Sequence, residues 1–299
     1  MIWAQVAGGF GQPGNGDSKQ PQPYILIGES GKGVEQTARD LIGNLFMANF
    51  EIAGKYHPAA DPDRYVIVVT NSNLLRIARE GGPFGGLLAT VRIAINRKDK
   101  FTYITCQDPI YWGNAFLGDR YDDLEKYIKT FRRDLLSAMP RLRGKFNRNF
   151  GVPYNRPLRE ADIRSYHYRR RSAALNDALV LATAADHQEA VKLVEKALIR
   201  SPEISSVYRQ EAPRAELTLF GFTSGSSATD SAILELLENA DENYTASLPL
   251  EILVVGNRII TLPITYRLPL SAPAIDKRAF RKIRKMEARL ITALEGAFQ

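Results

Sequence analysis

Cysteine, histidine and long apolar runs are scarce in this sequence of 299 residues. The single cysteine, Cys106, excludes a disulfide within the chain and any metal site built from paired cysteines. None of the three histidines has helical spacing to another ligand on a predicted helix, so the sequence predicts no metal site. No stretch approaches the roughly 20 consecutive apolar residues of a membrane helix. The sequence therefore predicts no membrane span.

The overall composition is that of a globular protein with a moderate excess of positive charge. Hydrophobic residues make up 44% and charged residues 24% of the chain, which is long enough for one large or two medium domains. Forty Lys and Arg residues stand against 33 Asp and Glu residues, giving a net charge of +7. This excess is compatible with an acidic protein face, nucleic acid or anionic lipid as a partner.

The N-terminal segment, residues 1–22, differs in composition from the rest of the chain. A short apolar start leads into a segment rich in glycine and proline, which is typical of a flexible tail. The alternative is the remnant of a signal peptide, although a basic region and an apolar core are missing. We predict a flexible N-terminal tail.

An internal repeat organises the rest of the chain. Residues 51–56 and 203–208 both run from Glu-Ile to a tyrosine, 152 positions apart, and an apolar run follows each at the same offset. Each half also contains an earlier strand-like run, a helix-period segment, a short helical candidate near 72–79 or 229–239, a hairpin and a long amphipathic helix. Pro109 and Pro269 are expected to end the two hairpins at corresponding places.

This pattern predicts an α+β protein made of two tandem β-α-β4-α units, residues 23–139 and 177–299. The sheets are expected to be antiparallel with helices on one face. Placed side by side, the two sheets would form a continuous saddle with pseudo-two-fold symmetry.

A basic connector, residues 140–176, joins the two halves. It contains ten basic residues against two acidic ones, few aliphatic residues and prolines at 153 and 157. We predict an extended segment with one short helix near 158–165. A connector of this length is either functional or wrapped on the surface.

Three motifs give the sequence a resemblance to a known family. They are Asp-Pro-Ile-Tyr-Trp-Gly-Asn-Ala-Phe at 108–116, Tyr-His-Tyr at 166–168 and Leu-Pro-Leu-Glu-Ile-Leu-Val-Val-Gly-Asn at 248–257. In their order and spacing, the chain resembles tandem bacterial members of domain-of-unknown-function family three-hundred-and-two. The resemblance covers roughly residues 24–298.

The resemblance implies a TATA-binding-protein-like β-α-β4-α fold and no particular reaction. Many tandem members look like exported proteins, which implies a periplasmic or cell-envelope location, with the cytoplasm as the alternative. Tandem relatives tend to continue the Tyr-His-Tyr motif with apolar residues, whereas this chain has three arginines at 169–171. A role for the connector therefore does not transfer from the family.

Two groups of residues are candidates for binding. The first is a ligand or partner surface, because aromatic side chains with a few polar groups are typical of ligand sites; its members are Asp108, Tyr111, Trp112, Asn114, Phe116, Tyr166, His167 and Tyr168. The same aromatic residues are also compatible with a cap on the core or a contact between the halves. The second is a basic contact for a partner, and its members are Arg164, Arg169, Arg170 and Arg171.

A glycine-rich turn at residues 28–33 resembles a phosphate-binding loop only in part. A phosphate loop needs a glycine where Leu26 stands and a Ser or Thr where Gly33 stands. We therefore predict a strand-to-helix turn in which Ser30 caps the helix.

These features predict a non-enzymatic binding or assembly subunit of a bacterial envelope protein complex. No catalytic residues are predicted, although a site assembled between the two halves would be invisible to sequence spacing. The first alternative is a haem or small-ligand binding protein that uses His167 or a neighbouring tyrosine, although no cofactor is predicted. The second alternative is nucleic-acid binding through the connector.

Overall fold

A computed structural model describes residues 20–140, 142–212, 214–225, 229–238 and 242–298. Most of the predicted N-terminal tail, residues 1–19, lies outside this range. The first half contains, in chain order, β1 (Tyr24–Ser30), α1 (Val34–Met47), β2 (Glu51–Tyr56), β3 (Arg64–Thr70), α2 (Ser72–Glu80), β4 (Val91–Lys98), β5 (Phe101–Gln107), α3 (Pro109–Leu117) and α4 (Tyr121–Ser137). The connector contributes β6 (Gly144–Phe150) and α5 (Glu160–Arg164).

The second half repeats the element order of the first. Its elements are β7 (Leu179–Thr183), α6 (His187–Arg200), β8 (Ile204–Ala212), β9 (Leu217–Ser224), α7 (Asp230–Leu237), β10 (Leu250–Val255), β11 (Arg258–Thr261), α8 (Ile264–Ser271) and α9 (Lys277–Ala297). The sheet of the first half has the order β2-β3-β4-β5-β1-β6, and that of the second has β8-β9-β10-β11-β7. All recorded strand pairs are antiparallel. The predicted α+β class is confirmed.

The described strands form two sheets rather than the one continuous sheet that we expected. The edge strands β2 and β8 nevertheless lie against each other. A Cβ atom on Gly54 would stand 2.6 Å from the Tyr208 Cβ and 2.9 Å from the Val207 carbonyl oxygen. The pseudo-two-fold relation between the halves stays a prediction.

Side chains at the N-cap positions explain where several helices begin. The side chains of Asn71, Asp186, Thr229 and Asp276 accept hydrogen bonds from the first-turn amides of α2, α6, α7 and α9. The prediction for Ser30 was wrong, because Gly33 is the N-cap of α1. The Ser30 hydroxyl instead accepts hydrogen bonds from the Lys32 amide and the Thr37 hydroxyl.

Helices α3 and α8 were not predicted. Every residue of both helices is buried or nearly so, and a helix that is buried on all sides shows no amphipathic period. Pro109 occupies the first turn of α3, where its missing amide hydrogen costs no helical hydrogen bond. The matching of Pro269 with Pro109 was wrong, because Pro269 lies inside α8.

The connector is part of the fold. Its strand β6 pairs with β1 and becomes the sixth strand of the first sheet, and its short helix α5 falls within the predicted segment. Gly28 in β1 allows this pairing, because a Cβ atom there would clash with the Gly144 carbonyl oxygen. The amide of Val152 also donates a hydrogen bond of 2.6 Å to the Gln22 side chain.

Candidate functional site

Asp108 stabilises the start of α3. Its side chain accepts a hydrogen bond from the Ile110 amide and forms an ion pair with Arg132 at 3.0 Å. Burial raises the pKa of the Asp108 carboxyl, and Arg132 opposes this rise. Asp108 is 2% exposed, so its carboxylate serves the fold and does not reach the surface.

The aromatic residues of α3 form a contact between the two halves. Tyr111, Trp112 and Phe116 are all buried. The Tyr111 hydroxyl donates a hydrogen bond of 2.9 Å to the carbonyl of Leu270 in the second half. The guanidinium of Arg267 lies 4.3 Å from the centre of the Trp112 ring. These residues therefore lie in the core and do not form an open surface, in agreement with the alternative that the sequence left open.

Two tyrosines anchor the connector to the second half. The Tyr166 hydroxyl donates a hydrogen bond of 3.0 Å to the carbonyl of Pro269, and the Tyr168 hydroxyl donates one of 3.0 Å to the carbonyl of Ile275. The Tyr168 ring also stacks on Phe280 with a centroid distance of 4.4 Å. His167 between them is exposed, and its Nδ1 lies 3.1 Å from the Ser165 carbonyl oxygen.

Arg164 binds inside the chain and is not free for a partner. Its guanidinium donates a hydrogen bond of 2.8 Å to the Asn114 side chain and one of 2.6 Å to the Asp122 carboxylate. The hydrogen bond from Arg164 lowers the pKa of the Asp122 carboxyl. The predicted partner role of Arg164 is thus replaced by a contact that fixes α5 against α3 and α4, and the buried Asn114 belongs to this contact.

Arg169, Arg170 and Arg171 are exposed and lie beside the start of α9. Arg169 stands 5.2 Å above the Tyr168 ring, which stacks on Phe280 in the first turn of α9. Helix α9 adds seven exposed basic residues, and none of them pairs with an acidic residue within the described parts of the chain; they are Lys277, Arg278, Arg281, Lys282, Arg284, Lys285 and Arg289. We name these ten residues the basic surface.

The fold does not require this charge. Helix α4 closes the first half as α9 closes the second, and it has four basic and four acidic residues. Helix α9 has seven basic and two acidic residues, and one of the acids, Glu287, binds Thr265. The sequence predicted α9 as an amphipathic helix but not as a binding surface, although a count of the charges on its polar face would have revealed the excess of cations.

A second group of functional interest lies buried between the halves and was also missed. Arg92 on β4 forms an ion pair with Glu251 on β10, and the Arg267 Nε lies 3.9 Å from the same carboxylate. The Tyr208 hydroxyl donates a hydrogen bond of 3.1 Å to Glu251. The Gln107 side chain accepts a hydrogen bond of 3.2 Å from Arg92. The sequence did contain a signal for this group, because Arg92 and Glu251 are charged residues within two otherwise apolar strands. With Tyr24, these residues form what we call the buried polar cluster.

The cysteine and two of the histidines in the described parts of the chain contact neighbouring groups of the fold. Cys106 is fully buried, and burial together with Asp108 raises the pKa of its thiol. His187 binds the Gly256 carbonyl and the Thr218 hydroxyl, while His57 contacts the Arg64 carbonyl and Glu35. No group of three His, Cys, Asp or Glu side chains suited to a metal ion occurs among the described residues.

A scan of the sequence against protein-family models found no match, and a search of curated proteins found none either. The resemblance to domain-of-unknown-function family three-hundred-and-two therefore stays a prediction. Of the helices in the described ranges, none is both long enough and apolar enough to cross a membrane.

Proposed function

We propose that this protein is a non-enzymatic binding or assembly subunit that docks on an acidic protein through the basic surface. The observation that supports this function is the placement of ten exposed cations side by side, outside any ion pair with a described residue. The connector and α9 are far apart in the sequence, and the stacking of Tyr168 on Phe280 brings them together.

The energetics of α9 favour a binding role for its charge. Like charges four residues apart, such as Arg281 and Lys285, destabilise an isolated helix by about 0.2–0.5 kcal/mol per pair. A solvated helix with i,i+4 ion pairs would avoid this cost, as α4 does with Glu125 and Lys129 at 2.8 Å. An acidic partner would convert the repulsion on α9 into attraction.

The surroundings of the basic surface favour a protein partner over a membrane. The apolar residues of α9, among them Ile283, Met286 and Leu290, are buried against its own half. The helix therefore has no free apolar face to insert into lipid, as an interfacial amphipathic helix requires.

Nucleic acid fits the basic surface less well than an acidic protein does. Single-stranded nucleic acids are held by free aromatic rings on which bases stack. The aromatic residues beside the basic surface, Tyr168 and Phe280, stack on each other, and the Tyr168 hydroxyl is already bonded to the chain. Carboxylates need no such rings and pair with arginine through two parallel hydrogen bonds.

The location of this docking follows only from the family resemblance, which implies the periplasm or cell envelope. Fractionation of the native cells tests it. Recovery of the protein with cytoplasmic markers alone would refute the envelope location without affecting the docking surface.

Purification of tagged protein from its native cells tests the proposed function. We expect the wild type to elute with one acidic partner in fixed ratio, and a variant with Arg170→Glu, Arg281→Glu and Lys285→Glu to elute as a 33.4 kDa monomer. The matched control is Lys126→Glu, Lys129→Glu and Arg133→Glu on α4, which makes the same change in net charge. This control should keep the partner.

Two further measurements decide between partners. The purified partner should bind more weakly as salt rises, because the attraction between exposed charges is screened. A wild type that is always monomeric, or a complex that survives the three substitutions in the basic surface, contradicts the proposal. A complex that dissolves on nuclease treatment assigns the basic surface to nucleic acid instead.

A further inference from the structure

The exposed face of α9 offers a partner charge and almost nothing else. Between residues 277 and 289, every exposed position of the helix is a Lys or Arg, with Ala288 as the one exception. Beside the cations, Tyr168 and Phe280 are stacked on each other. The large hydrophobic side chains that are exposed in the described chain lie outside the basic surface; they are Phe46, Met47, Phe146, Tyr154, Val180 and Ile199. The basic surface therefore has no apolar centre.

A rigid, folded partner would gain little from such a surface. Stable interfaces between folded proteins depend on a few buried aromatic or apolar side chains at their centre, from which water is excluded. Ion pairs between exposed charges contribute little each, because both ions stay hydrated and two long side chains must be held in place. The affinity must then come from the number of charge contacts, so the partner has to bring many carboxylates to the surface at once.

The cations of α9 lie in two rows along the helix. One row contains Arg278, Lys282, Lys285 and Arg289, and the other contains Lys277, Arg281 and Arg284. The rows are about 100° apart around the helix axis, since each residue turns the helix by about 100°. A rigid helix or strand of a partner lies along one row and leaves the other without counter-charge, whereas a flexible acidic segment reaches both.

The length of the two rows sets the length of such a segment. Residues 277–289 span about 18 Å along the axis, at about 1.5 Å per residue, and an extended chain advances about 3.3 Å per residue. About six extended residues therefore match the rows, and the arginines at 169–171 add room for a few more. Runs of that many acidic residues do not fold by themselves and often serve as interaction tails.

We propose that the acidic partner binds the basic surface through an unfolded run of about six to ten Asp and Glu residues. This inference rests on the proposed function and names the part of the partner that makes the contact. The run pairs with cations of both rows without adopting one packed conformation. Because the contacts are between exposed charges, the binding does not depend on the handedness of the acidic segment.

Fluorescence anisotropy of the purified protein with labelled decapeptides of L-glutamate and of D-glutamate tests the proposal. We expect both peptides to bind, with dissociation constants that agree within about twofold, since exposed ion pairs impose no fixed geometry. Binding should weaken about tenfold or more as sodium chloride rises from about 0.05 M to about 0.3 M, because the charges are screened. The variant with three Glu substitutions in the basic surface should bind at least about tenfold more weakly. The matched α4 variant should stay within about threefold of the wild type.

The comparison of the two peptides on the wild type does not depend on a variant that folds. Binding of the L-peptide more than about tenfold tighter than the D-peptide would overturn the proposal, because it shows packed contacts of fixed geometry. Equal binding of the peptides to the wild type and the basic-surface variant would also overturn it. Tighter binding of an oligothymidylate of equal charge would assign the surface to nucleic acid instead. A native complex that depends on the basic surface, although neither peptide binds, overturns this inference and leaves the proposed function in place.

Discussion

Single residues at the contact between the halves decide whether its buried charges are tolerated. Moving charged groups from water into a protein core costs several kcal/mol per ion, and a partner of opposite charge offsets this only with good geometry. Glu251 faces Arg92, Arg267 and the Tyr208 hydroxyl at once. Removing Glu251 therefore has a different effect from removing one of its partners.

We predict that Glu251→Gln destabilises the protein more than Arg92→Met does. The first substitution leaves two buried guanidiniums without a counter-charge and should lower the free energy of unfolding by about 3–5 kcal/mol. The second leaves the Arg267–Glu251 pair balanced and should cost less. Urea unfolding measures both, with the exposed Glu203→Gln as a control that changes it by less than about 0.5 kcal/mol. An equal or greater loss for Arg92→Met contradicts the prediction.

At the scale of elements, the two halves differ most at the open edge of their sheets. In the first half β6 covers β1, and Gly28 leaves room for the backbone of Gly144. In the second half β7 is the edge strand, and Ala182 stands where β1 has Gly28 in the pairing with the neighbouring strand. Gly28 therefore leaves room for β6 beside β1, whereas Ala182 places a methyl group at the matching position of β7.

We predict that Gly28→Ala detaches β6 from β1. The added methyl group collides with the Gly144 carbonyl oxygen, and relief of such overpacking costs about 1–3 kcal/mol. Hydrogen exchange of the amides of residues 144–150 should become at least about tenfold faster, which corresponds to 1.4 kcal/mol or more. Gly31→Ala is the matched control, because no atom lies within 4 Å of its added Cβ. Unchanged exchange in Gly28→Ala would refute the role of this glycine.

At the scale of the whole molecule, the halves are joined by polar contacts as well as by apolar packing. Arg64 in the first half donates hydrogen bonds of 2.8 Å to Glu238 and 2.9 Å to Thr245 in the second half. Tyr111 and the connector residue Tyr166 reach the carbonyls of α8. A half that separated would expose these groups without their partners.

We therefore predict that the chain unfolds in one cooperative transition. In a Trp3→Phe variant, Trp112 is the single remaining tryptophan, and its fluorescence reports on the contact between the halves. Far-ultraviolet circular dichroism reports on the helices of both halves. The two signals should give the same urea midpoint, as in two-state unfolding. Two separate midpoints would show that the contact between the halves opens before the helices unfold, which contradicts a single transition.

Local patterns in the sequence determined much of this protein. The alternating and continuous apolar runs, the amphipathic periods and the turn residues predicted the α+β class, most strands and the helices α1, α2, α4, α6, α7 and α9. The excess of cations in the connector was also visible. Each of these patterns belongs to one element, because the spacing of its own apolar residues shows which face of that element is buried.

Tertiary structure alone decided which distant residues meet. The period of α3 and α8 is hidden because they are buried on all sides, and no local pattern tells that Arg164 binds Asn114 and Asp122. The contact of Arg92 with Glu251, 159 positions later in the chain, depends on how two sheets pack. The same holds for the basic surface, because its two parts become neighbours only when Tyr168 stacks on Phe280. The sequence determines each element through its own pattern of burial, whereas the sites arise from packing between elements.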